Sequence, residues 1–107
     1  MEAFEFTINE SFLEGGSHPI TIPKGQIPYE NLRAINLNHK NILTILPHGE
    51  RYKSELYHGE AGFGEYYQLR LQGSQRDFPG YLKIGDKVIV FLCISKDRSY
   101  AIIEYKD

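Results

Sequence analysis

The sequence predicts a mainly β domain: about seven short strands closed into an open barrel or a sandwich, with one or two short helices. Three observations carry that prediction. Short stretches alternate apolar and polar residues with period two, as where Phe4, Phe6 and Ile8 alternate with Glu5 and Thr7. Eight Tyr and six Phe make the chain 13% aromatic, a composition suited to pleated, half-buried surfaces. Turn signals recur at roughly regular spacing between these stretches, which points to a barrel or sandwich and not to a βαβ sheet, and a barrel also removes exposed edges.

Taken in order, residues 3–8 form the first strand. Residues 9–19 contain Gly15-Gly16-Ser17-His18-Pro19 and are predicted as an exposed loop. Residues 19–24 alternate again, but Pro19 and Pro23 restrict them to a short or edge strand, because proline cannot donate to a ladder. Residues 27–35 are the one convincing helix, with Pro28 suited to its first turn and Leu32 and Ile35 at i, i+3 spacing. Residues 36–41 are polar and turn-like. Residues 41–46 and 51–57 then read as a hairpin about Pro47-His48-Gly49-Glu50. Residues 58–65 carry Gly59, Gly62 and Gly64 and are predicted as a mobile projection before a cleanly alternating strand over 66–72. In that strand Tyr66 and Tyr67 are neighbours and must point to opposite faces, so at least one belongs to the core.

The longest apolar run, Val88 to Ile94, follows the turn pair Gly85-Asp86. It has no polar member, as expected where both faces are covered or a sheet closes on itself. A last strand over 100–105 pairs with it. At 107 residues, 41% hydrophobic and 24% charged, the chain makes one domain over residues 1–107 with a single core. Its one cysteine, Cys93, lies inside the core run and is read as a small buried hydrophobe, which fits a reducing, cytoplasmic setting. No secretory signal pattern and no apolar stretch of about 18 residues is present, so no membrane span is predicted.

A net charge of −2 argues against an indiscriminate polyanion binder. The charges are unevenly spread: residues 1–14 hold Glu2, Glu5, Glu10 and Glu14 with no Lys or Arg, whereas residues 70–98 are rich in both. The histidines at 18, 39, 48 and 58 all fall in predicted loops without zinc-motif spacing, so no metal or other cofactor is called for. There is no nucleophile elbow, and Gly59 to Gly64 lacks the ending of a phosphate-binding loop. Nothing in the sequence marks an enzyme or a small-molecule site. The loops do mix the residue types that read duplex DNA: Arg, Lys, Asn and Gln for base edges, Ser, Thr and glycine backbone for phosphates, acids for cytosine amino groups.

Three segments in succession carry a more specific signal: Thr21-Ile-Pro-Lys24, then Tyr66-Tyr-Gln-Leu-Arg-Leu71, then Gly73 through Phe78 leading into Leu82-Lys-Ile-Gly-Asp-Lys-Val-Ile-Val-Phe91. Together they resemble the B-three type DNA-binding domain, a pseudobarrel of plant transcription factors that also occurs, in related form, in bacterial restriction endonucleases. The family often has Trp in its glycine-aromatic motif and is usually more basic in plants. This chain has no Trp and offers Phe78 and Tyr81, which favours the restriction-endonuclease branch.

The resemblance implies a seven-stranded open β-barrel that grips double-stranded DNA in the major groove with two arms. It also implies a nuclease domain in the same or a partner chain. The first arm would run from Glu14 to Lys24, with Ser17, His18, Thr21 and Lys24 as contacts. The second would run from Lys53 to Arg70, with Lys53, Glu55, Tyr57, His58, Glu60, Tyr66, Gln68 and Arg70. Gln72, Ser74, Gln75 and Arg76 would stand behind it on the DNA backbone. Two other readings stay open: a barrel that stacks single-stranded nucleic acid on exposed tyrosines, and a protein-interaction domain.

Overall fold

The computed structural model describes residues 2–38, 41–72, 78–94 and 98–107. Seven strands form one sheet: β1 (Glu2–Thr7), β2 (Pro19–Ile22), β3 (Ile42–Ile45), β4 (Arg51–Ala61), β5 (Gly64–Gln72), β6 (Lys87–Ile94) and β7 (Ser99–Tyr105). Two helices join them, α1 (Glu10–Glu14) and α2 (Tyr29–Asn38). The strands follow one another in the order β1-β6-β7-β3-β4-β5-β2 and curl into a nearly closed barrel. All neighbours are antiparallel except β3 and β7. Between the two end strands a side chain spans part of the gap: Glu5 N donates to Gln26 Oε1 at 2.8 Å.

Alternation decides what the barrel encloses. Phe4 and Phe6 from β1, Ile20 and Ile22 from β2, Tyr67, Leu69 and Leu71 from β5, Val88, Val90 and Leu92 from β6, and Ala101 and Ile103 from β7 form one buried cluster. The expected split of Tyr66 and Tyr67 holds, with Tyr67 1% exposed and Tyr66 half-buried on the outside. The turn before β6 is built as its residues require. Gly85 takes φ 94°, and Lys83 N donates to Asp86 Oδ2 at 2.9 Å, which closes the loop on the side chain. The hairpin about Pro47 to Glu50 and the β6–β7 pairing also stand as expected.

Four expectations need correction. Residues 10–14 are a helical turn and not open loop, capped by Asn9, whose side chain accepts from Phe12 N at 2.9 Å. Residues 36–38 extend α2 instead of leaving it. Residues 58–65 are not a projection on their own: β4 and β5 stay paired to Ala61↔Gly64, leaving only Gly62 and Phe63 to turn. Cys93, read as a small buried hydrophobe, is half-buried on the outside with Ile89 and Phe91, while Val88, Val90 and Leu92 face the inside of a sheet that closes on itself, the second of the two readings of this run. A run with no polar residue is therefore compatible with one covered face, because nothing in its composition records how deeply the second face is buried.

Of the buried polar side chains, Thr44 and Ser54 are paired, whereas His18 Nε2 has no partner among the described residues. Thr44 and Ser54, opposite each other's strands on β3 and β4, share a 2.6 Å hydroxyl bond. Ser54→Ala alone is expected to cost about 1–3 kcal/mol by stranding the Thr44 hydroxyl, and Thr44→Val alone should cost less, because Ser54 Oγ keeps its bond to Tyr52 O at 3.3 Å. Replacing both together should cost less than the sum of the two, so urea unfolding of the singles and the double reads the coupling directly.

Candidate nucleic-acid interface

The outer surface of β2, β5 and β4 collects most of the residues singled out by sequence. Register sets them in rows, since residues opposite each other in a ladder share a face. Thr21 lies opposite Gln68, and Gln68 opposite Tyr57. Glu55 lies opposite Arg70, Lys53 opposite Gln72, and Tyr66 opposite Gly59. Thr21, Lys53, Glu55, Tyr57, Tyr66, Gln68, Arg70 and Gln72 thus make one continuous polar and aromatic face, because every second residue of these strands points away from the core.

The side chains on this face hold one another. Gln68 Nε2 donates to Thr21 Oγ1 at 3.1 Å, and Arg70 Nε donates to Gln68 Oε1 at 3.0 Å. The Arg70 guanidinium lies 3.5 Å from the centroid of the Tyr57 ring, a cation–π stack. Tyr57 and Tyr66 are tilted neighbours at 6.1 Å, and removal from water together with a hydrogen bond to Tyr57 raises the Tyr66 phenol pKa. The Tyr66 ring lies over Gly59, where a Cβ would come within 2.3 Å of its far end and would displace the ring. At the Gln72 and Lys53 end, a cleft of about 380 Å³ opens, lined also by Asn41, Leu43 and Ser54.

The other candidates lie elsewhere. Ser17 precedes β2, where its carbonyl accepts from Leu71 N at 2.8 Å. Lys24 is exposed just beyond β2, its ammonium 5.4 Å from the Tyr29 ring centroid. The first arm is therefore no separate finger: β2 is hydrogen-bonded to β5, and both segments supply one sheet surface. Glu60 is exposed near the end of the hairpin, on the opposite side of β4 from Tyr57. Arg76, with Ser74 and Gln75, lies outside the described residues.

Both histidines are corrected in their surroundings. His18 is 0% exposed, not a loop side chain open to a ligand. Its Nδ1 sits 2.6 Å from Phe12 O and its ring stacks on Phe78 at 4.0 Å. The imidazole is enclosed, bonded to a backbone carbonyl and with Nε2 unpartnered among the described residues, so His18 does not stand on the outer face as a DNA contact would. His58 lies within β4 and turns toward Glu65, with Nε2 3.0 Å from Glu65 Oε2. Arg33 of α2 also pairs with Glu65, and this contact, ahead of the His58 bond, holds the Glu65 carboxyl below its ordinary range. A lowered carboxylate pKa stabilises the folded chain above the unfolded-state value, and that contribution is lost as pH falls through the folded-state value. Arg33→Gln is accordingly expected to move the Glu65 titration upward, as read by carboxyl NMR shifts. An unmoved titration would remove Arg33 as its cause.

One exposed residue was missed. Phe63, 77% exposed, stands at the tip of the β4–β5 hairpin and leans on Tyr66 at 5.8 Å. A Phe between Gly62 and Gly64 was the available signal, since an aromatic flanked by two glycines sits on a turn more often than in a core. Among the described residues no group of three His, Cys, Asp or Glu side chains is placed to hold a metal, and no helix is long and apolar enough to cross a membrane.

Fold and surface together define a seven-stranded, nearly closed β-barrel that presents a polar and aromatic outer face on three adjacent strands. In comparison with known proteins, the chain matches no protein-family model and no curated protein sequence.

Proposed function

We propose that this chain is a recognition domain for double-stranded DNA, a B-three type pseudobarrel of the restriction-endonuclease branch, which binds and leaves cleavage to a nuclease domain in the same or a partner chain. The observation that carries the reading is the outer face of β2, β5 and β4. There Arg70, Gln68, Thr21, Lys53, Gln72 and Glu55 stand in register, and no carboxylate among the described residues forms an ion pair with Arg70 or Lys53. Amide, guanidinium and carboxylate groups on a stiff sheet are the donors and acceptors that base edges require. The resemblance of Thr21 to Lys24, Tyr66 to Leu71 and Leu82 to Phe91 to the family's motifs supports the same reading.

One observation favours a second reading. Phe63, Tyr66 and Tyr57 form an outward aromatic line, the means by which barrels hold unpaired bases. One experiment separates the two: the purified chain is incubated with a randomised duplex pool and a randomised single-stranded pool at two salt concentrations, and the bound molecules are sequenced. Enrichment of a short duplex motif, with affinity falling as salt rises, is the result expected of the first reading. Preference for the single-stranded pool would replace it by the second, and binding to neither would remove both.

A further inference from the structure

The geometry points to Arg70 and Glu55 as a joint reader of one G·C base pair, an inference that rests on the duplex-DNA reading of the same face. The major-groove edge of a G·C pair presents, in order, the N7 acceptor and O6 acceptor of guanine and the N4 amino donor of cytosine. Its complement is two donors beside one acceptor. Arg70 and Glu55, direct partners in the β4–β5 register on the outer face, carry that set between them. The Cβ atoms of facing residues in an antiparallel pair stand about 5 Å apart, so both side chains can reach one base-pair edge.

Two features fit Arg70 to this role ahead of the other cations. Its Nε is occupied by Gln68 Oε1, and Gln68 is in turn anchored on Thr21, so the planar group is held from behind. Stacking on Tyr57 fixes the plane. No bond from another described residue engages the end-on fork of the two terminal nitrogens, the geometry that matches N7 and O6. The rotamer freedom that a surface arginine surrenders on binding is thereby reduced beforehand. Glu55 lies opposite Arg70, yet the two form no ion pair, because Arg70 is drawn toward the Gln68 and Tyr57 row. The carboxylate is left as the acceptor for a cytosine amino group. Lys53, by contrast, is a point charge on a flexible stem and suits a phosphate.

The test repeats the selection from the randomised duplex pool with the wild-type chain, Arg70→Ala, Arg70→Lys and Glu55→Gln, each checked for folding by circular dichroism. The wild-type motif should contain one G·C pair whose guanine preference falls about ten-fold or more in Arg70→Ala, with the other positions kept. Arg70→Lys should not restore it, since a lysine has no fork. Glu55→Gln should loosen the same base pair. A companion measurement needs no variant: placing 7-deazaguanine at that position removes the N7 acceptor and should weaken wild-type binding. If Arg70→Ala keeps the wild-type motif, or the two residues loosen different base pairs, or 7-deazaguanine binds as guanine does at every guanine of the motif, the joint reader is overturned while duplex recognition stands. A wild-type chain that enriches no duplex motif overturns both.

Discussion

Phe12→Ala is expected to lower stability by about 3–5 kcal/mol, the cost of deleting a buried aromatic ring. In a domain of this size that corresponds to a fall in Tm of more than about 10 °C, readable by thermal or urea unfolding. The ring is 0% exposed and meets three others edge-on: Phe6 of β1 at 5.6 Å, His18 at 6.3 Å and Phe78 at 5.1 Å. It thereby ties the segment between β1 and β2, the two end strands of the sheet, to the residues that lead toward β6. The cavity left by Ala would be lined by these rings, which are held by their own strands and turns and cannot collapse into it. His18 shares the site, and its Nδ1 contact to Phe12 O survives the substitution because it uses the backbone. Phe12→Leu should therefore recover much of the loss. A loss under about 1 kcal/mol in Phe12→Ala would mean that the short helix is not packed as described.

The second large effect concerns binding. Lys53→Ala is expected to weaken duplex affinity several-fold across all sequences and to reduce the slope of log affinity against log salt by about one, the signature of one lost phosphate contact. The argument rests on placement: Lys53 is exposed, faces Gln72 on the outer sheet surface, and borders the cleft with Asn41. It makes no ion pair among the described residues, so its removal leaves no buried partner stranded and should not change the unfolding midpoint. A titration at two or more salt concentrations separates the two contributions that a single affinity would merge. If Lys53→Ala binds duplex with the wild-type affinity and salt slope, the phosphate track does not pass along this edge of the face. The same titration with Arg70→Ala should instead depend on sequence, since a base contact and a phosphate contact differ in whether their loss relaxes specificity.

Much of the barrel could be read from the chain. Period-two alternation located β1, β2 and β5, and the apolar run after Gly85-Asp86 located β6, because half-buried strands leave a local chemical record. The parity of Tyr66 and Tyr67 was legible for the same reason, with the core side falling to Tyr67. The rows of the outer face were legible in part: Gln68, Arg70 and Gln72 share a face by alternation alone, as do Lys53, Glu55 and Tyr57. What alternation cannot give is register. That Arg70 stands opposite Glu55, and that Thr21 joins the same surface through Gln68, depends on which strands pair and with what offset.

The misreadings have physical causes of the same kind. Gly15, Gly16 and Pro19 mark a turn correctly, but a turn signal says nothing about the residues around it, so the burial of Phe12 and His18 went unseen. Gly59 and Gly62 resemble loop residues, yet Gly59 lies within β4, paired with Tyr66, whose ring covers it. Sequence by itself determined the β character, the strand positions and the outward set of each strand, since these follow from local periodicity and turn chemistry. Only the tertiary structure decided which outward sets adjoin, which glycines serve packing and which histidine is enclosed, because each depends on contacts between segments far apart in the chain.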